Sequence, residues 1–287
     1  MNIALLTCYA FPNLIEADQK LIPELALLGF SAEAVIWDDP EVNWKKYDIA
    51  IIRNTWDYFQ KTSVFYSWLE KMNETSCSFI NPLSVIRWNM HKFYLREMSD
   101  AGILVIPSLF LPYTSTPQDI KSLIPSDWSQ IIIKPAISAG SYLTELMDIN
   151  DMEAIIIKYG NMVAERDIII QKFIPEIVRN GEISMVFFDK KFSHAVVKKP
   201  KSGDFRIQSQ FGGKYQAFIP DANTLNAAQD ILNYVKSDLI YARVDGIISD
   251  NKFYLMELEL IEPDLYMDFI PNGQVRFAES ISRAISM

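Results

Sequence analysis

Arg243, Asp245, Glu257 and Glu259 recur with period two in YARVDGIISDNKFYLMELELIEPD, residues 241–264. The positions between them are Ala242, Val244, Met256, Leu258 and Leu260. Alternation of this kind predicts two antiparallel strands with their apolar side on a core and their charged side on a site. A loop of odd length centred on Asn251 sets Asp245 opposite Glu257 and Arg243 opposite Glu259. Carboxylates crowded on one face repel one another unless a cation joins them. An all-oxygen donor set of this density suits Mg²⁺ held together with substrate phosphates. The alternative is a solvated strand face.

The same design recurs upstream. GEISMVFFDKKFSHAVVKK, residues 181–199, reads as a hairpin with Asp189, Lys190 and Lys191 as a three-residue loop. That register sets Glu182 opposite Lys198, either as a cross-strand ion pair or as part of a nucleotide site. The polar stretch that follows, residues 199–213, carries Gly203, Gly212, Gly213 and Arg206. A loop of this length with no apolar period is a lid, a binding loop or a surface loop. In IIIKPAISAGS, residues 131–141, Lys134 ends an apolar strand. The small residues Ser138 to Ser141 make a turn whose amides can approach an anion, with Lys134 as a point charge. Neither a Rossmann nor a P-loop fingerprint is present.

Composition narrows the function classes. The chain has 287 residues, 49% of them hydrophobic, and a formal charge of −9. That charge argues against nucleic acid as a partner, so an anionic ligand must be met by local cations. No apolar run is long enough to span a bilayer, and the N-terminus runs straight into a strand without a signal-peptide pattern. Two cysteines, Cys8 and Cys77, make no disulfide framework and fit a cytoplasmic setting. Two histidines, His91 and His194, read as packing or surface residues, which makes a zinc or Ser-His-Asp centre a poor expectation.

The elements that must position these residues read as α/β. Strands near 2–8, 31–37 and 48–53 alternate with helices at 16–29 and 60–73, giving a small parallel sheet. Ligands of such sheets lie beyond the carboxyl ends of the strands. Arg53, Trp56, Asp57 and Tyr58 occupy that place, either as substrate contacts, with Arg53 on a carboxylate, or as a capping and packing segment. FIN (79–81) and Pro82 close this unit. A helix at 89–101 follows, with Lys92 near its start. Strands near 104–111, 130–134 and 167–171, a helix at 151–160, the two hairpins with a helix at 222–236 between them, and a closing helix from Gln274 complete the chain.

This order of residues resembles the ATP-grasp superfamily in its glutathione-synthetase-like branch. It runs from Lys92 and Lys134 through QKFI (171–174), Glu182 and Lys198 to a Gly/Arg loop, R-x-D and E-x-E. RNTWDY (53–58), NPLSVIRWNMHKFYL (81–95), KPAISAGS (134–141) and MELELIEPDLY (256–266) are similar, more narrowly, to the D-cycloserine synthetase group. The resemblance implies an ATP-grasp fold: an N-terminal parallel domain (1–85), a central ATP-binding lobe (86–170) and a C-terminal lobe with the metal site and phosphate loop (171–287). It implies that Lys92 and Lys134 meet the α- and β-phosphates, with Ser141 in the turn beside them. Gln171, Lys172, Phe173 and Ile174 form the adenine linker, and Glu182 holds the ribose. Lys198 and Arg206 face the γ-phosphate. Asp245, Glu257 and Glu259 hold one or two Mg²⁺, or Mn²⁺, and Arg243 stabilises an oxyanion. Some relatives carry Asn where this chain has Glu259; a carboxylate serves the same purpose.

The implied reaction is an ATP-dependent ligation or cyclisation of a small amino-acid-like acid through an acyl phosphate. The alternatives are an intermolecular amide ligase and a nucleotide-binding protein without ligase activity. The implied partners are a small molecule and, as often in this superfamily, a second copy in a homodimer.

Overall fold

The computed structural model describes residues 1–201 and 212–286; Gly203 and Arg206 lie outside the described residues. The chain opens with β1 (Asn2–Thr7), β2 (Ser31–Ile36), β3 (Ile49–Asn54) and β4 (Ser78–Ile80), a wholly parallel sheet ordered β2-β1-β3-β4. Every residue of β3 is buried, as expected of a central strand covered on both faces. An antiparallel sheet follows, made of β5 (Ser108–Leu111), β6 (Gln130–Pro135), β7 (Glu145–Asp148) and β8 (Ile168–Lys172) in the order β5-β8-β6-β7. The last sheet joins β9 (Glu182–Phe188), β10 (Lys191–Lys199), β11 (Lys214–Phe218), β12 (Tyr241–Ser249) and β13 (Lys252–Glu259) in the order β11-β10-β9-β12-β13. The architecture is the expected α/β one, a parallel sheet beside two antiparallel ones. No helix among the described residues is long and apolar enough to cross a membrane.

Local departures from the expected pattern have physical causes. The helix expected at 89–101 is confined to Tyr94–Asp100, and a separate helix that was not expected, Leu83–Asn89, precedes it. Pro82, at the N-cap of that earlier helix, sets its start. The helix expected at 16–29 is broken, into Glu16–Gln19 and Leu21–Leu27, ahead of Gly29 at φ +85°.

Both hairpins reach the expected pairing by an unexpected route. Each turn has two residues rather than an odd number: Asp189–Lys190 and Asp250–Asn251, all four with positive φ. That is the conformation whose twist suits a tight hairpin. A bulge then slips the register by one, between Phe192 and His194 in the first hairpin and at Asp245/Gly246 in the second. The result pairs Lys198 with Glu182, Asp245 with Glu257 and Arg243 with Glu259. The second bulge also moves Met256 off the core side, where period two had put it, to the cavity side beside Glu257. Gly246 is required there, because a Cβ would stand 2.3 Å from the Tyr254 carbonyl oxygen.

Strand β13 is the edge of its sheet; the outer backbone groups of Leu255 pair with the main chain of Leu104 and Ile106, and those nearer its end are met by side chains. Asn89 accepts from the Leu260 amide and donates to the Leu258 carbonyl, at 2.9 and 2.8 Å. The Tyr94 hydroxyl accepts from the Leu258 amide and donates to its carbonyl, at 2.9 and 3.0 Å. Asn81 donates to the carbonyls of Leu260 and Tyr241. These bonds satisfy buried polar backbone and fix the strand that carries Glu257 and Glu259.

Candidate active site

One cavity of about 860 Å³ lies between the sheets. Strands β9, β10, β12 and β13 present Glu182, Lys198, Arg243, Asp245, Glu257 and Glu259 to it. Lys134 at the end of β6, the turn Ser138–Ser141, and Gln171 to Ile174 leading out of β8 line the facing side. Lys92 enters from between the two helices. All the site residues expected within 92–259 therefore share one cavity, except Arg206, which lies outside the described residues.

The charges are interlocked. Lys198 lies 2.5 Å from Glu182 and 3.7 Å from Asp245. Arg243 binds Asp245 through Nη2 at 2.7 Å and also pairs with Glu259. Lys92 meets Glu257 at 3.0 Å and the Ser138 carbonyl oxygen. Ser184 donates to Asp245. Burial pushes the Asp245 carboxyl up, but the charges of Arg243 and Lys198 outweigh it and hold the group at about 2. Burial likewise opposes ionisation of Glu257, and Lys92 and Lys134 bring it below the usual range. Burial raises Glu182 against the pull of Lys198. Burial also pushes Glu259 well above the carboxylate range, against Arg243 and with the repulsion of Asp245 and Glu257. Lys134 is lowered by burial, with Glu257 only partly compensating.

The described residues contain no preformed cage of three or more Asp, Glu, His or Cys. The acids are instead paired with cations. As a donor set they still suit a hard divalent ion: all ligand atoms are oxygens on one face, and the side chains of Glu257 and Glu259 are 29% and 26% exposed.

The segment 171–174, where the resemblance leads one to expect an adenine linker, has a defined bonding pattern. The Lys172 and Phe173 amides donate to the carbonyls of Pro107 and Gln130. The Lys172 ammonium binds Asp127 at 2.8 Å, and Gln171 donates to Ser108. Beside this segment Ile106, Ile177 and Ile247 form a small apolar cluster with Phe173, Ile174 and Met256. Most of that slot was not foreseen, since Ile106, Ile177 and Ile247 sit in short apolar runs that look like core.

The expected substrate quartet divides. Trp56 and Tyr58 line the cavity. Arg53 does not: it is fully buried, with Nε on Asp18 at 2.9 Å and Nη2 on the Pro263 carbonyl at 3.1 Å. Its guanidinium carbon lies 5.5 Å from the ring centroids of both Tyr241 and Phe277. The expected contact with a substrate carboxylate is thus replaced by an internal acid, the packing alternative. Asp57 also turns away, accepting from Trp37 at 2.8 Å and Lys61 at 2.7 Å.

Glu262, Asp264 and Tyr266 line the cavity and were not anticipated, because they follow the strand and fall outside its period. The histidines serve as structure: His91 meets Asp167 at 2.9 Å and His194 meets the Leu265 carbonyl at 2.8 Å.

Known proteins resemble this chain over most of its length. The sequence model of the D-cycloserine synthetase DcsG N-terminal domain matches residues 3–81, and that of the prokaryotic glutathione synthetase ATP-grasp domain matches residues 106–264. The cycloserine biosynthesis protein DcsG of Streptomyces lavendulae is 23% identical over 292 residues, covering 96% of this chain and 94% of that protein. The crystal structure of D-cycloserine synthetase DcsG matches with a TM-score of 0.87 at 23% identity, over 99% of this chain and 100% of that one. D-alanine–D-alanine ligase from Bacillus anthracis matches with a TM-score of 0.68 at 14% identity, over 99% and 98% of the two chains. The ATP-grasp model alone accounts for more than half of the chain: the protein belongs to the prokaryotic glutathione synthetase ATP-grasp family, whose members use ATP and divalent metal ions, and is an ATP-dependent ligase.

Proposed function

We propose that this ligase activates the carboxylate of a small amino-acid-like molecule as an acyl phosphate and closes an amide-type bond within that molecule, releasing ADP and phosphate. The observation that carries the proposal is the convergence of Lys92, Lys134, Lys198 and Arg243 with four paired acids on one cavity that also holds an apolar slot. A carboxylate is a poor electrophile, and phosphoryl transfer asks for positioning and charge neutralisation rather than a protein nucleophile.

Each residue then has a task. The apolar slot and the 171–174 segment receive adenine, with the Ile174 amide as donor, since the two amides before it are used internally. Glu182 takes the ribose hydroxyls. Lys92, Lys134 and the Ser138–Ser141 turn hold the inner phosphates, and Lys198, with Arg206, the outer one. Asp245, Glu257 and Glu259 would hold a divalent ion such as Mg²⁺, which would supply positive charge against the phosphates. Arg243 steadies the oxyanion formed when the nucleophile adds to the acyl phosphate. Trp56 and Tyr58 border the acceptor end. Two buried free thiols, Cys8 and Cys77, fit a reducing cytoplasm.

The test is ADP release with ATP and Mg²⁺ across amino acids, O-substituted D- and L-serines and dipeptides, with mass spectrometry of the products. Release tied to one acid, with a product lighter by one water, is the expected result. A product joining two acids replaces cyclisation by intermolecular ligation. Release unaffected by every acid overturns the small-acid reading.

A further inference from the structure

Six acids line the cavity, and among the described residues five have a partner from another residue. Glu182, Asp245, Glu257 and Glu259 are ion-paired, and Asp264 accepts from the Tyr266 amide at 2.9 Å. Glu262 is the exception. It is 9% exposed and lines the cavity; its carboxylate is hydrogen-bonded only by its own backbone amide, and Lys92 and Arg243 act on it through space without forming an ion pair. A carboxylate buried to this degree and facing a cavity asks for a cation from the ligand.

Its main chain is held by three side-chain donors. The carbonyls of Glu262, Pro263 and Asp264, three in a row, accept from Trp56 Nε1 at 2.9 Å, Arg53 Nη2 at 3.1 Å and Arg243 Nη1 at 3.0 Å. Trp56 therefore abuts Glu262, and Phe11 packs edge-on against it with centroids 5.2 Å apart. Tyr58 and Phe59 complete an aromatic border. Glu257 and Glu259 lie near enough to repel the Glu262 carboxylate, yet no group of three acidic, His or Cys side chains that could hold a metal gathers among the described residues; a carboxylate rimmed by aromatic rings suits an organic ammonium, which gains from both charge pairing and ring faces.

We propose that Glu262, beside Trp56, is the specificity-determining receptor for the ammonium group of the acid substrate. The inference rests on the small-acid reading above. It assigns the substrate as a free 2-amino acid, oriented with its ammonium at Glu262 and its carboxylate toward Arg243. It excludes N-acylated and 2-hydroxy acids as good ligands.

The test compares O-methyl-D-serine and O-methyl-L-serine with their 2-hydroxy counterparts, in the presence of Mg²⁺ and a non-hydrolysable ATP analogue. Binding is followed by calorimetry and by the Trp56 indole N–H resonance, assigned with Trp56→Phe. Wild type should favour one amino compound over its hydroxy counterpart by about tenfold or more, as for a lost charge-assisted bond. Glu262→Gln should bring the two within about twofold and leave affinity for the ATP analogue unaltered; Glu262→Asp, which keeps the charge, should retain part of the preference. A preference unchanged in Glu262→Gln, or no preference in wild type, overturns the inference. ADP release measured alongside separates the two readings: discrimination at Glu262 without acid-stimulated release would sink the acyl-phosphate proposal alone.

Discussion

Replacing Arg53 by alanine should cost stability before it costs chemistry. The Arg53 and Asp18 side chains are 0% and 1% exposed. Asp18 is also held by Asn54 Nδ2 at 2.9 Å, so Arg53→Ala leaves a buried carboxylate with one neutral donor. Removing one partner of a buried ion pair costs about 3–5 kcal/mol, mostly for the charge left behind. The lost bond to Pro263 and the lost ring contacts act in the same direction. At about 2–4 °C per kcal/mol for a chain of this size class, the melting temperature should fall by roughly 10 °C or more. The assay is thermal unfolding followed by circular dichroism, without ligand, for wild type, Arg53→Ala, and the double variant Arg53→Met/Asp18→Leu. The double variant removes both charges at similar volume and should recover at least about half of the loss. A melting temperature for Arg53→Ala within about 2 °C of wild type, or a double variant no better than the single, would refute the buried-pair account and return Arg53 to the substrate.

Three further outcomes are expected. Glu257→Gln should lower acid-stimulated ADP release by at least about 10²-fold, on the scale of losing one preorganised electrostatic contact, with an unchanged circular dichroism spectrum; near-normal turnover would remove Glu257 from the metal site. Lys134→Ala should weaken ATP binding in calorimetry. In wild type that binding should fall as pH rises through a lysine pKa lowered by burial, a loss that Lys134→Arg should abolish; a flat alkaline profile in wild type would count against a phosphate contact. Glu262 supplies a test on stability. Burial raises its carboxyl to about 7, opposed by Lys92 and Arg243 and assisted by Glu257. A raised carboxyl pKa favours folding only while the group is protonated, so that contribution is present below the unfolded value and lost as pH rises through about 7. Glu262→Gln should therefore be more stable than wild type at pH 8, by about 3 kcal/mol on the scale of 1.36 kcal/mol per unit, and the gain should vanish near pH 4. Equal stability at pH 8 would refute it.

The chemistry-bearing strands were legible because parity is a local property. Arg243, Asp245, Glu257 and Glu259 show one face whichever turn joins them. The turns were misread for the same reason: a three-residue loop and a two-residue turn followed by a bulge shift the pairing by the same single residue, so alternation cannot tell them apart. Met256 shows the cost, since only the bulge carries it to the cavity. Arg53 looked like a ligand contact because it ends a parallel strand. Its real partners, Asp18 and Pro263, lie 35 and 210 residues away in the chain, and no local pattern announces such a pairing. Glu262 was invisible because its meaning is an unmatched charge, which emerges only when the neighbouring acids have found their cations.

The three consecutive carbonyls at 262–264 bear on how such a ligase can change over generations. Family resemblance divides the chain into two stretches, residues 3–81 and 106–264, which invites the picture of interchangeable modules. The bonds from Arg53 and Trp56 run across that division into the loop that follows the β12–β13 hairpin. Grafting a foreign first stretch onto this second one would leave two of those carbonyls without their donors and the loop free to wander. New acceptor preferences are therefore expected to arise here by paired substitution on both sides of the seam, and chimeras joined at residues 81–106 should need compensating changes at 262–264 before they turn over.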